Sequence, residues 1–324
     1  MGDHPFSEYL RILGKGPKGR RSLTQQEAKQ AMEMVLAEEV TEKQIGAFLL
    51  LMRANGETQD ELRGFITAIR SKFNQEKQTI DVDLDISAYA GKWRYAPYFL
   101  LSIKLLVKNG YKVMLHGDSG QFENRQYIDA FLDELGFQQA RSIKNAEEIV
   151  AQQVPVYLPL QNFAPQLKTI LHLKEELGVR TIFNTAVKLL NPLNAKYCIQ
   201  GIYHKGVEKL HHAASELNGA QKNLVFKGEG GEPEIRPDAL THLYFSNHLK
   251  NEFKDVVLEG IIDRNIRPKE WSKNGLIELW SSGETDKYGK YSVITTTAVS
   301  LMLMESLDSE QAFNKAKQFW LNRH

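Results

Sequence analysis

The chain has 324 residues, 42% hydrophobic and 25% charged, a globular composition with length enough for two domains and too apolar for a disordered chain. Its formal net charge is only +1, so affinity for a polyanion has to come from local clusters of Lys and Arg. No window approaches the roughly 18 uncharged apolar residues of a membrane span, the polar start lacks a secretory signal core, and Cys198 is the only cysteine, which excludes an intrachain disulfide and a cysteine-rich zinc site.

A soluble, cytoplasmic protein with Cys198 as a small buried hydrophobe is expected. Along the chain, the first feature is a basic cluster of Arg11, Lys15, Lys18, Arg20 and Arg21 with no acidic residue among them, where glycines and a proline predict a loop. Three capping boxes follow, Thr24 with Glu27, Thr41 with Gln44, and Thr58 with Glu61, each a helix start that satisfies two orphan N–H groups. Apolar residues at helical spacing succeed each box, for example Ala28, Ala31, Met32 and Val35 after the first. Residues 1–79 therefore read as a helical domain.

From Ile80 the period changes. Ile80, Val82, Leu84 and Ile86 alternate with aspartates, the pattern of a half-buried strand. Short apolar runs at 113–115, 154–158, 199–203 and 224–226 alternate with helical patterns such as 99–107 and 127–135. Alternating strands and helices imply a mainly parallel sheet with helices on its faces. The fold class is thus α/β with a separate small helical domain; residues 80–324 form the α/β domain, and part of the helical stretch 161–190 completes the first domain.

The segment from Leu177 through Arg180 to Asn184, followed by Asn191 to Asn194, is very similar to the signature of anthranilate phosphoribosyltransferases and their nucleoside phosphorylase relatives. His116, Gly117 and Asp118 resemble the family's Lys-His-Gly-Asn turn, and Lys227 to Glu234 resembles its His-Gly-x-Asp-Gly-Leu-Asp-Glu loop. In active members a Gly-Thr-Gly-Gly-Asp loop after the first strand cradles the donor diphosphate, and an Asp-Glu pair helps to hold magnesium. Here the corresponding positions read Ser87 to Gly91 with bulky Tyr89 among them, and the acidic pair becomes Pro233 and Glu234. The resemblance implies an acceptor pocket marked by His116, Arg180 and Asn184 and a vestigial metal site at Glu232 and Glu234.

A kept signature with a replaced donor loop resembles the YbiB-like branch of this superfamily, whose members are implicated in binding DNA and RNA as homodimers. The resemblance thus implies a catalytically degenerate protein that binds single- or double-stranded nucleic acid with little sequence specificity. It also implies a homodimer formed through the helical domain, with no cofactor and no membrane. The nucleic-acid face is expected at Lys15, Lys18, Arg20 and Arg21, and at Lys92, Trp93 and Arg94, where cations alternate with aromatics: cations neutralise phosphates, and an exposed ring stacks a base. The rival expectation is an active transferase moving phosphoribosyl to an aromatic acceptor, in which Arg180 orients the acceptor and Glu232 and Glu234 hold magnesium. His204, His211 and His212, with Lys205 and Lys209, read as a polar helix surface that extends a basic face at lower pH.

Overall fold

The computed structural model describes residues 2–73, 78–204, 206–283 and 285–324. The three capping boxes all form, opening the helices Gln25–Leu36, Glu42–Asn55 and Gln59–Arg70. These helices pack with Ser7–Gly14 around Phe6, Phe48, Leu62 and Phe65. The same apolar cluster takes in Leu167, Ile170, Phe183 and Leu190 from the later stretch, and the rings of Phe65 and Phe183 stack at 5.3 Å. That later stretch is several pieces, Pro165–His172, Lys174–Leu177 and Phe183–Ala186. It breaks at Gly178, whose φ of 71° ends a helix in the left-handed region.

Eight strands form one sheet: β1 (Leu84–Ala88), β2 (Val113–Gly117), β3 (Gln138–Gln139), β4 (Val156–Pro159), β5 (Tyr197–Ile202), β6 (Lys222–Lys227), β7 (Thr241–Asn247) and β8 (Glu252–Leu258). Their order is β3-β4-β2-β1-β5-β6-β7-β8. The first six pair in parallel, and β7 and β8 add an antiparallel edge. The helices Phe99–Lys108 and Lys287–Glu305 are buried nearly all round and belong to the main core.

Two element readings change. β1 begins at Leu84 and is buried at every position, because a central parallel strand is covered on both faces; its alternating Asp85 is drawn inside and bonds to His116. The pattern at 127–135 yields only the 3-10 turn Ile128–Phe131. In such a sheet the carboxyl ends of neighbouring parallel strands bound a crevice, and here the ends of β1, β5 and β6 do so.

Candidate functional site

At this edge a cleft of about 210 Å³ lies between the sheet and the helical cluster; Arg180, Asn184, Tyr203, Lys188, Ala90 and Gly230 are among its lining residues. A larger groove, about 670 Å³, adjoins it and shares Tyr203, His204 and Gly230.

The turn leaving β1 sets the chemistry of the cleft floor. Tyr89 sits where a glycine would leave room for a ligand. Its ring is buried, and its hydroxyl bonds to His116 Nδ1 at 2.7 Å, while Nε2 of the same ring lies 3.2 Å from Asp85 Oδ1. An imidazole protonated on Nε2 donates to the carboxylate and accepts from the phenol, so the three groups satisfy one another. Burial, then the surrounding acids, push the Tyr89 hydroxyl well above its ordinary value, so it stays protonated. His116 is fully buried and fixes Tyr89 without lining the cleft.

The next two amides point at an anion supplied by the protein itself. Ala90 N and Gly91 N both donate to Glu232 Oε1, at 2.9 and 2.5 Å. Burial raises the Glu232 pKa, opposed by Lys188 and by these amides. Lys92, expected as an exposed nucleic-acid contact, is instead 1% exposed and bonds to Glu234 Oε1 at 2.5 Å. The physical reason is Glu234 itself: a carboxylate buried beside the sheet requires a counter-charge. Its second oxygen accepts from Phe99 N at 2.9 Å, capping the Phe99–Lys108 helix. Burial still pushes the Glu234 carboxyl up to about 7, against the pull of Lys92.

These occupations decide the metal question. Magnesium is held by one or two free carboxylates together with substrate phosphates. Both oxygens of Glu234 are taken and Glu232 spends Oε1 on amides, so the pair leaves a single unpartnered oxygen, the buried Glu232 Oε2. The residues at Glu232 and Glu234 do not fit a family magnesium.

The rim of the cleft differs. Arg180 lies over the rings of Phe122 and Tyr203, at 4.8 and 5.9 Å from their centroids. Arg125 lies over Trp93, Phe122 and Tyr203, at 5.4, 5.6 and 5.7 Å. Arg94 lies 4.9 Å over Trp93, and Lys174 4.6 Å over Phe122. Trp93 is 49% exposed. Among the described residues neither Arg125 nor Arg180 has a carboxylate partner: Arg125 donates to the carbonyls of Gly91 and Gly230, both at 2.8 Å. Burial, and next the charge of Arg125, depress the Arg180 pKa, as expected of two guanidiniums held together.

Of the residues expected at the acceptor pocket, Arg180 and Asn184 line the cleft. Asn184 accepts from Thr181 N and donates to Gln121 Oε1, at 3.0 and 3.2 Å. Of the second basic segment, Trp93 and Arg94 remain at the surface, Arg94 with Nε 3.5 Å from the buried Glu229. Tyr95 is buried. The N-terminal cluster stands apart from the cleft lining. It is not wholly a loop, since Gly16–Gly19 form one helical turn. Arg11 pairs with Asp3 at 2.6 Å and Arg21 bonds to both oxygens of Glu27, at 2.7 and 2.6 Å, so Lys15, Lys18 and Arg20 are its exposed cations without a carboxylate partner among the described residues.

The histidines do not share a polar face. His211 is buried, His212 bonds to Ser246 Oγ at 2.6 Å, and His204 packs on Tyr203 at the cleft; Lys205 and the side chain of Lys209 lie outside the described residues. Sequence reading passed over Arg125, Phe122, Tyr203 and Lys188. The first two sit in the segment Phe122 to Tyr127, which interleaves a cation with aromatics just as 92–95 does. Lys188 left no local signal: it is buried, donates to the carbonyls of Gly201 and Gly231 at 2.5 and 2.9 Å, and burial lowers its pKa to about 8.

Comparison with known proteins accounts for both halves of this architecture. Residues 7–73 match the model of the glycosyl transferase family, helical bundle domain, and residues 106–317 that of its a/b domain. The anthranilate phosphoribosyltransferase of Bacillus cereus strain AH820 is 30% identical over 291 residues, 87% of this chain and 80% of that protein. The chain belongs to the family of the anthranilate phosphoribosyltransferases. The enzyme of that name from Metallosphaera sedula is 28% identical over 237 residues, 73% of this chain and 67% of the relative. Among solved family structures, the Saccharomyces cerevisiae enzyme in complex with PRPP and Mg superposes with a TM-score of 0.78 at 16% identity, covering 99% of this chain and 94% of that one. The Thermus thermophilus enzyme gives 0.71 at 18%, covering 98% and 94%; these two likenesses show the shared fold. Within that family fold, the turn after β1 is held by Tyr89, Glu232 and Lys92. No helix among the described residues is long and apolar enough to cross a membrane.

Proposed function

We propose that this chain is a family member whose donor turn is closed by its own side chains and whose cleft rim binds nucleic acid with little sequence preference. The observation that carries this reading is the rim: Trp93, Phe122 and Tyr203 each lie under two or more cations, and the two central ones, Arg125 and Arg180, have no carboxylate partner among the described residues. The half-exposed ring of Trp93 offers a face to a base, and guanidiniums without a carboxylate partner offer donors to phosphates; together these are the ingredients of single-strand binding without base readout. A two-fold dimer through the helical domain would present the rim twice. The test is fluorescence anisotropy of a labelled single-stranded oligonucleotide at low and moderate salt. Binding that weakens steeply with salt and is lost on replacing Arg125 and Arg180 together is expected. No binding at low salt would overturn the reading.

The second reading, an active phosphoribosyltransferase acting on an aromatic acceptor with magnesium, is favoured by the names of the relatives and by Arg180 and Asn184 lining the cleft. A retained arginine there suits a carboxylate. Calorimetric titration with phosphoribosyl diphosphate and magnesium separates the two: saturable binding by the unaltered protein supports the transferase, and its absence supports the closed donor turn.

A further inference from the structure

We infer that Glu232 is a built-in anion: its carboxylate fills an oxyanion site made by the turn after β1, and removing that carboxylate opens the site to inorganic phosphate or diphosphate. This rests on the reading of the donor turn as closed, and not on nucleic-acid binding.

Two successive amides, Ala90 N and Gly91 N, converge on one oxygen, Glu232 Oε1, at 2.9 and 2.5 Å. Gly91 holds a φ of 68°. Consecutive N–H groups turned to a common point by a left-handed residue form a concave anion nest. The occupant is observed, and it is a carboxylate. Glu232 is 1% exposed and has no ion pair among the described residues, and its other oxygen, Oε2, has no hydrogen-bond partner. Burying a carboxylate in this way is costly unless its surroundings favour negative charge. Burial does raise the Glu232 pKa, and the ammonium of Lys188 and the two amides oppose that rise.

The plug is fixed in place. The Glu232 backbone runs so close to Gly201 and Gly228 that a Cβ on either glycine would overlap its carbonyl group. The side chain therefore does not leave by a swing of its backbone, and the site stays shut for as long as position 232 carries it. Ala90, Lys188 and Gly230 line the cleft, so the nest lies directly behind the cleft wall, and removal of the carboxylate is the change that would connect the two. A phosphate oxygen would take the place of Oε1 and accept from the same amides.

The experiment is isothermal titration of sodium diphosphate, with and without magnesium, into the unaltered protein, Glu232→Ala and Glu232→Gln. The alanine variant is expected to bind at least about tenfold more tightly than the unaltered protein, with a melting temperature that climbs with diphosphate concentration, as mass action requires. The glutamine variant keeps the bulk of the plug and is expected to stay silent. A folded alanine variant that binds no better than the unaltered protein overturns the inference. Should that variant fail to fold, refolding in diphosphate is expected to rescue it, and failure of rescue likewise overturns it. Tight binding by the unaltered protein would sink this inference together with the closed donor turn, whereas loss of oligonucleotide binding alone would leave it standing.

Discussion

Lys92 and Arg94 are two residues apart, yet they meet opposite ends. Lys92 is drawn into the protein by Glu234, and around it the turn after β1 is satisfied internally: amides on Glu232, phenol on His116, ammonium on carboxylate. Arg94 stays outside with Trp93, at the margin of a rim where Arg125 and Arg180 rest on ring faces and carbonyls. The difference teaches that a buried carboxylate draws in one cation and leaves another outside: Lys92 is buried whole on Glu234, whereas Arg94 brings only its Nε within 3.5 Å of the buried Glu229 and keeps its head at the surface. Charged residues in a sequence are candidates, and the tertiary position of each partner decides how much of the cation remains available.

The comparison can be broken first at Lys92. Lys92→Met leaves Glu234 buried without its counter-charge and is expected to cost about 3–5 kcal/mol, read by denaturant unfolding. Adding Glu234→Leu should restore much of that loss; if the single change is silent, the turn is not held by this pair. Next comes the helix Glu208–Ser215 that walls the cleft. Burial lowers the His211 pKa to about 3 from 6.5. A depressed folded-state value means stability that is present above pH 6.5 and is lost as pH falls toward 3. By pH 4 the loss from this group should reach roughly 3 kcal/mol, and His211→Leu should flatten that part of a stability curve.

On the rim side, Trp93→Ala should weaken oligonucleotide binding by about 1–3 kcal/mol if a base stacks on the ring, while melting is unchanged because the ring is half exposed. Arg180→Ala should reduce the slope of log affinity against log salt by about 1. The smallest change belongs to the N-terminal cluster: Lys18, Arg20 and Arg21 replaced together should alter binding less than Trp93→Ala, since none of the three lines the cleft and Arg21 is already paired with Glu27. A larger effect there would move the binding surface away from the cleft.

Much of the fold was legible because its signals are local. A Thr with a Glu or Gln three residues on closes a capping box wherever it sits, and three of them set the starts of three helices. Signature residues around Arg180 and Asn184 led to the cleft. The misreadings share one cause. Alternation at 80–86 suggested a half-buried strand, but Asp85 is buried in the middle of the sheet because His116 waits for it from β2. Lys92, Trp93 and Arg94 were expected on one exposed face, yet Lys92 and the following Tyr95 turn inward and Trp93 and Arg94 outward.

Sequence by itself determined the helical start, the alternation that makes a parallel sheet, the family signature and the absence of a glycine-rich donor loop, since each is written in neighbouring residues or in periodicity. Only the tertiary structure decided which charges are spent. Lys92 and Glu234 are 142 residues apart, Ala90 and Glu232 equally so, and whether a carboxylate is free, paired or serving as an internal anion depends on what the fold brings within hydrogen-bond reach of it.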